Sequence, residues 1–395
     1  MKNKVNKFIK KGTDNLGKSR FNSVEMIMIL IMGLLSGILV STIFKTTLNG
    51  TTDNSSNEII SVYNNLKEKY YGDIDEEALE QAAIAGMLSI LGDEYSEYLS
   101  SYESSDFNDK LNGEFVGLGV QIRKVGESAP VVTEVYDNSP AAKAGLMVGD
   151  LLLKVNGEDI STLSLSEVVD KIKNKKENIT LEVQREDETI VLEATTGDVV
   201  ITSVEQEIIE GEQKKIGYAK LSLFAKNSAS QLALAFDSFD KAGVNSVILD
   251  LRDNPGGHLD VAEEILNMFL DDTKILYQIK GKDNTEKVYS SKGEKRNYNL
   301  VILVNESSAS ASELISASLK EGYGAILVGT TTYGKGTVQQ TMSLEDGSMI
   351  KYTTNTWLTP NGNSINEVGI TPDYIIEQTD GDNQLAKAIE ILDVN

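Results

Sequence analysis

The sequence predicts an α/β core preceded by a β-rich module, a short helical region and one apolar helix able to cross a bilayer. Three observations predict it. From Lys215 onward, short β-branched runs alternate with stretches of helical periodicity, the pattern of a sheet layered with helices. Between residues 114 and 200 the runs are short and bounded by turn residues, with a single helical piece, as in a small β domain. Near the start, Met26–Phe44 (MIMILIMGLLSGILVSTIF) carries no charge, and a bilayer asks for about 20 apolar residues.

Taken in order, residues 1–25 form a basic tail, since Lys2, Lys4, Lys7, Lys10, Lys11, Lys18 and Arg20 outnumber Asp14 and Glu25. Positive charge stays on the cytoplasmic side, so residues 26–44 read as an anchor that exports the remainder. No Ala-x-Ala site follows, which favours an uncleaved anchor over a signal peptide. After a polar linker (45–56) comes an N-terminal helical region, residues 57–113, in which Ile59–Leu99 repeats apolar positions at helical spacing (Ile60, Val62, Leu66; Leu79, Ala83, Met87, Leu91), predicting two or three short helices. In 114–200 the expected strands are Val116–Ile122, Val131–Val135, Leu151–Val155 and Ile179–Gln184, around a helix at Ser166–Lys173. Residues 201–395 predict strands at Ile216–Leu221, Ser246–Leu251, Lys274–Ile279 and Val301–Val304, and helices at Ser228–Lys241, Leu259–Leu270 and Ser310–Lys320. Thr354–Pro360, with the only tryptophan, Trp357, reads as a β-rich return segment whose tryptophan packs.

The chemistry sits in Glu306–Gln340 (ESSASASELISASLKEGYGAILVGTTTYGKGTVQQ). Ser310 falls at a strand-to-helix turn, where free N–H groups and the positive end of the helix dipole favour a developing oxyanion. The Ala311 N–H is a natural donor. Lys335 lies between Gly334 and Gly336, and partial burial in such a loop would lower its ammonium pKa toward that of a usable base. The pair reads as a serine nucleophile with a lysine base. There is no cysteine and one histidine, His258, so a cysteine nucleophile is excluded and a Ser-His-Asp triad would have to use a residue that reads as an ordinary helix-start side chain. Gly329–Lys335 (GTTTYGK) imitates a phosphate loop, but Gly336 lacks the required hydroxyl and the residues after it are β-branched rather than helical. Asp250 reads as a charge at a strand end.

Ser310–Glu313 (SASE), Gly334–Gln339 (GKGTVQ) and Asp250–Gly257 (DLRDNPGG) resemble the carboxy-terminal processing peptidases, serine peptidases of the tail-specific protease family. Ala85–Leu99 (AGMLSILGDEYSEYL), a PDZ-like segment and Leu358–Asp373 (LTPNGNSINEVGITPD) follow in the family's order, so the likeness covers roughly residues 57–392. The resemblance implies an α/β peptidase core with Ser310 as nucleophile, Lys335 as general base and Gln339 orienting Lys335. It further implies Gly256 or Gly257, with Ala311, as oxyanion donors. Where that family commonly has aspartate, this chain has Glu321.

Within 114–200 the resemblance makes Gly117, Leu118, Gly119 and Val120 the carboxylate-binding loop of a PDZ domain, in which a peptide adds a strand to the sheet. Ser139–Asp150 (SPAAKAGLMVGD) and Val155–Gly157 match the same pattern. Leu165, Val168, Val169 and Ile172 line a groove for an apolar terminal side chain or pack the core. Arg185 pairs with a substrate carboxylate or an acidic neighbour, or stands exposed at a strand end. The helical region packs on the core or takes part in homodimer contacts. The implied partners are proteins or peptides with a free C-terminus, and the implied place is the cell membrane with the catalytic part outside. A formal charge of −23 argues against nucleic acid. The chemistry needs no metal or cofactor. The alternative from another class is a membrane-tethered, non-catalytic PDZ scaffold.

Overall fold

A computed structural model describes residues 54–124, 126, 128–173, 178–379 and 381–394. The basic tail, the apolar stretch 26–44 and most of the linker lie outside the described residues; among the described residues no helix is long and apolar enough to cross a membrane. The chain divides into two compact units, residues 1–80 and 81–395. The first holds helix α1 (Asn54–Lys69) and the start of α2 (Glu76–Ser89), joined by a Lys67–Glu76 ion pair and a Tyr63–Glu80 hydrogen bond of 2.6 Å.

In the second unit a short strand β1 (Glu97–Leu99) leads into helix α3 (Ser101–Asn112). Ser100 and Glu103 close a capping box at its start, and Gly113 ends it at φ 75°, a left-handed cap that glycine adopts without a Cβ penalty. The β-rich module follows. Strand β2 (Glu114–Gly117) pairs with β9 (Gly197–Val200), and β3 (Val120–Arg123), β4 (Val131–Val135), β5 (Leu151–Val155), β7 (Asn178–Arg185) and β8 (Glu188–Thr195) form a sheet in that order, with β6 (Glu158–Asp159) on β5. Helices α4 (Pro140–Ala144) and α5 (Leu165–Ile172) complete it around a core that includes Leu118, Val132, Leu152, Ile160, Val168 and Leu181.

The expected single strand Val116–Ile122 is broken in two. Gly119 takes φ 80° and packs so closely that a Cβ would stand 2.3 Å from Ser139 Cβ, so the chain turns there and the two halves join different sheets.

The α/β alternation is borne out. Strands β10 (Val204–Glu210), β11 (Lys215–Leu221), β12 (Ser246–Asp250), β15 (Asn299–Val304), β16 (Ile326–Gly329) and β19 (Tyr374–Ile375) form one sheet in that order, parallel except for β10. Helices α6 (Ser228–Lys241), α7 (Leu259–Asn267) and α8 (Ala311–Gly322) bury one apolar layer with it, through Phe236, Phe239, Ile265 and Leu314. Helix α9 (Asn383–Val394) covers Ile248, Val301 and Leu303 on the other face. A strand covered on both faces has no polar side to show, which is why Ser246–Asp250 is buried throughout.

The segment expected to extend this alternation at Lys274–Ile279 departs from it. Strand β13 (Ile275–Lys280) joins β1, β14 (Thr285–Tyr289), β17 (Thr337–Ser343) and β18 (Met349–Leu358) in a second, antiparallel sheet. That sheet carries the residues after Lys335 and brings the segment before β1 against them.

Candidate active site

Ser310 follows β15 and caps the start of α8. Its backbone sits at φ 55°, ψ −112°, a region sparsely populated by non-glycine residues and a common place for strain at functional sites. The surrounding main chain holds it there. Asn254, fully buried, accepts from Gly256 N through its side chain at 2.8 Å and from Ala309 N through its carbonyl at 3.0 Å. The Pro255–Gly257 turn thus lies directly against the serine, and a Cβ on Gly256 would stand 2.8 Å from Ser310 Cβ.

Gly257 and Ala311, two of the expected oxyanion donors, line the same cleft as Ser310. Neither Gly257 N nor Ala311 N donates a hydrogen bond among the described residues, so both amides are free beside the serine. Gly256 is corrected: its N–H is already spent on Asn254. Its contribution is space, because only a residue without Cβ fits against Ser310.

Lys335 is partly buried, and burial holds its ammonium pKa below the usual lysine value; the charge of Lys351 in the same cleft pushes the same way, opposed by Glu97, Asp93 and Glu313. Its Nζ lies 4.4 Å from the centroid of the Tyr95 ring, a cation–π seat that favours the charged form. Among the described residues it makes no hydrogen bond to Ser310 or Gln339. The Gln339 amide donates to Thr337 at 2.8 Å and Thr353 at 3.1 Å, so its expected contact with Lys335 is not formed in this conformation. Ser310, Lys335, Gln339, Gly256, Gly257 and Ala311 nonetheless line one open cleft.

Glu313 is the residue that motif reading quoted without giving it a part. Its carboxylate is fully buried and accepts from Ser310 N (2.9 Å), Lys335 N (2.8 Å), Gly334 N (2.7 Å) and the Thr332 hydroxyl (2.6 Å). Burial pushes its carboxyl pKa up while the four donors pull against that shift. One side chain therefore clamps the serine turn to the lysine loop. The signal was a glutamate inside an otherwise small and apolar run, a residue almost never buried without partners. Trp357 packs as expected at 2% exposure, and its indole N–H also holds the Lys335 carbonyl at 3.1 Å.

The remaining assignments separate cleanly. His258 lies in the cleft with Nε2 buried and unpaired, and its Nδ1 stands 3.8 Å from Asp260; among the described residues it makes no hydrogen bond to Ser310. Glu321 accepts from Asn361 N at 2.8 Å, and at about 1.5 Å of helix rise per residue it lies some three turns from the serine. Asp250, buried at the end of β12, is held by Arg252 and Tyr218. The loop after Lys335 leads into β17 rather than a helix, as the rejection of a phosphate site required.

In the β module, Gly117, Leu118, Gly119, Val120 and Ile172 line a groove between β3 and α5. Val168 is corrected from groove to core: it is 0% exposed and packs within the module. Val169, one position on, lines the groove instead. Arg185 has an acidic neighbour rather than an open face, with Nε 2.8 Å from buried Asp150 and a further bond to the Gly145 carbonyl.

Comparison with known proteins places the chain among peptidases. Residues 215–376 match the profile of Peptidase family S41, residues 131–185 that of a PDZ domain, and residues 42–102 that of the Activating protease CtpB N-terminal domain. A probable CtpA-like serine protease of Staphylococcus aureus (strain COL) is 38% identical over 84% of this chain and 66% of its own length. The chain thus spans just under two thirds of that relative. A counterpart of the same description from Staphylococcus saprophyticus is 33% identical over 92% of this chain and 74% of its own. Among solved structures, an S41 chain from Bacteroides fragilis NCTC 9343 superposes with a TM-score of 0.50 at 19% identity, covering 82% of this chain and 90% of that one, a likeness of fold.

Proposed function

The chain belongs to peptidase family S41, and we propose that it is a membrane-anchored serine endopeptidase that cleaves exported or envelope proteins, using its PDZ domain to read their C-termini. The observation that carries the reading is the pair of unspent amides, Gly257 and Ala311, flanking a serine in strained backbone, in the cleft that also holds a half-buried lysine of lowered pKa.

The chemistry follows from those groups. The Lys335 amine, once deprotonated and off the Tyr95 ring, takes the Ser310 hydroxyl proton as Oγ bonds to the scissile carbonyl carbon. The two amides hold the oxyanion of the tetrahedral intermediate. As the C–N bond breaks, the Lys335 ammonium returns the proton to the leaving amine, leaving an ester on Ser310. Water, deprotonated by the same amine, then attacks the ester, and as the bond to Ser310 Oγ breaks the Lys335 ammonium returns the proton to that oxygen, freeing the new carboxyl end and the hydroxyl. Gln339 would release Thr337 and Thr353 to steer Lys335 toward the serine. The seat on Tyr95 marks a resting arrangement.

The uncharged stretch 26–44 after a basic tail supports an anchor with the catalytic part outside the cytoplasm. Strand β3, which pairs with β4 alone in its sheet, and the glycine loop beside it support capture of a C-terminus. A homodimer through the N-terminal helices is part of the same reading, since Ile59, Ile60 and Val62 on α1 are each more than half exposed.

The test is incubation of the full chain in detergent micelles with a loosely folded protein ending in apolar residues, with products read by mass spectrometry. Wild type is expected to cut, and Ser310→Ala and Lys335→Ala to leave the protein intact. Binding without cutting by the wild type would point instead to the non-catalytic scaffold.

A further inference from the structure

The groove between β3 and α5 is already occupied. Strand β3 ends its sheet, pairing only with β4, so its outer edge is where an added peptide strand would lie. Helix α3 lies there instead. Tyr102 donates from α3 to the Ile122 carbonyl on β3 at 3.1 Å, and its hydroxyl is buried enough that its pKa is pushed up to about 12. Across the groove, Ser101 Oγ stands 3.3 Å from Ser166 Oγ on α5, and Lys173, just past the end of α5, pairs with Ser105 and Asp109 of α3. The side chains of α3 form one wall of the cavity, and the glycine loop with Ile172 forms the other.

The position of Asp109 identifies what α3 replaces. A peptide's terminal carboxylate would be received by the amides of Gly117–Val120, and of the two lysines lining that groove Lys173 is only 15% exposed, while Lys110 pairs with Asp106. In this structure the carboxylate that meets Lys173 belongs to the chain itself.

The opposite face of α3 reaches the catalytic cleft. Phe107, Asn108 and Leu111 line it, and the Phe107 ring carries the Lys351 ammonium at 5.6 Å. The same three-turn helix lines both the groove and the cleft, so displacing its groove face would also displace its cleft face.

We propose that α3 is a built-in pseudo-ligand of the PDZ groove: Asp109 stands in for a peptide's C-terminal carboxylate on Lys173, and an incoming peptide with an apolar last residue must displace the helix, which withdraws Phe107 and Leu111 from the catalytic cleft. This rests on reading the groove as a peptide site. The substrate feature selected is then a free carboxylate able to outcompete Asp109.

The test reads binding apart from chemistry, in the full chain carrying Ser310→Ala, in detergent micelles. A fluorescent peptide with an apolar last residue is titrated by anisotropy as its free acid and as its C-terminal amide. Asp109→Asn frees Lys173 and is expected to tighten the free acid by roughly fivefold or more, and the amide too, since both must displace the helix. Lys173→Met is expected to erase the preference for acid over amide. The chain has no cysteine, so Ser101→Cys with Ser166→Cys creates the only thiol pair. Its oxidation should weaken binding at least about tenfold, with full recovery on reduction. In the Ser310-containing protein, oxidation should also abolish stimulation of turnover by added peptide. If Asp109→Asn binds the acid no tighter, or the oxidised pair binds as the reduced one does, the pseudo-ligand is refuted. Absence of binding in every variant, reduced pair included, would overturn the groove reading itself.

Discussion

Replacing Gly256 by alanine puts a methyl group against the reacting serine. Gly256 holds φ at +101°, and its added Cβ would stand 2.8 Å from Ser310 Cβ, 2.9 Å from Ala309 O and 3.0 Å from Ala311 N. The left-handed backbone costs an L-residue about 1–2 kcal/mol. The overlap adds about 1–3 kcal/mol, since two of the three neighbours are main-chain atoms that cannot rotate aside. Relief must come from moving Ala311 N or the Ser310 Cβ, and losing one oxyanion donor lowers kcat by about 10²–10³. Gly243 supplies the control: its φ is +72° and nothing lies within 4 Å of its added Cβ, so Gly243→Ala carries the backbone strain without the clash. Steady-state cleavage of a quenched fluorescent peptide, beside urea denaturation, separates the terms. Both variants are expected to lose stability, and only Gly256→Ala to lose about a hundredfold or more in kcat. Turnover in Gly256→Ala within about threefold of the control would refute the placement of the oxyanion site.

Three further outcomes follow from the same geometry. Lys351→Met removes a like charge near Lys335 and strands Glu97; both changes raise the Lys335 pKa. The free amine forms as pH climbs through that pKa, so the rise of kcat/KM should move to higher pH, and a shift of about one unit would lower turnover at neutral pH up to about tenfold. An unmoved or acid-shifted profile would contradict it. Glu313→Ala leaves four donors without their acceptor, at about 1–3 kcal/mol each, comparable with a typical total stability of about 5–15 kcal/mol, and should not fold stably. Glu313→Gln retains one acceptor oxygen and should fold with turnover reduced more than binding, which circular dichroism and a kcat-against-KM comparison would check. Arg185 holds the Asp150 carboxyl below the usual carboxylate range. That contribution is present above the ordinary carboxylate pKa and is lost as pH falls through the lowered value. Arg185→Met leaves the Asp150 carboxylate without its cation and should destabilise the PDZ domain near neutrality and much less in strong acid, read by urea melts at both pH values.

Local pattern carried most of the fold. Buried parallel strands read as β-branched runs, so β12 and β15 were legible, and the small-residue start of α8 placed Ser310 at a strand-to-helix turn. What pattern could not show was which sheet a strand joins. Ile275–Lys280 has the composition of its neighbours, yet its partners Leu358, Trp357 and Thr356 come from far along the chain. The same blindness hid Tyr95, which reaches Lys335 only because β1 pairs with β18. It also hid the role of Glu313, whose donors lie around Lys335 as well as at Ser310. Gly256 and Gly257 read alike in sequence, and only the bond from Gly256 N to Asn254 tells the donor from the spacer. Helix α3 lies beyond the apolar periodicity of Ile59–Leu99, and its place in the groove depends on Lys173 and Ile122 far along the chain.

The central claim is that Ser310 carries the acyl group and that Lys335 makes it able to. The most direct measurement mixes the full chain, in detergent micelles, with an activated peptide ester, quenches in acid, and maps the acyl adduct by peptide mass spectrometry. The account predicts an adduct on Ser310 in wild type, forming faster as pH rises through the lowered Lys335 pKa, and none in Lys335→Met at neutral pH. An adduct on another residue, or equal labelling of Ser310 without the lysine, would contradict it.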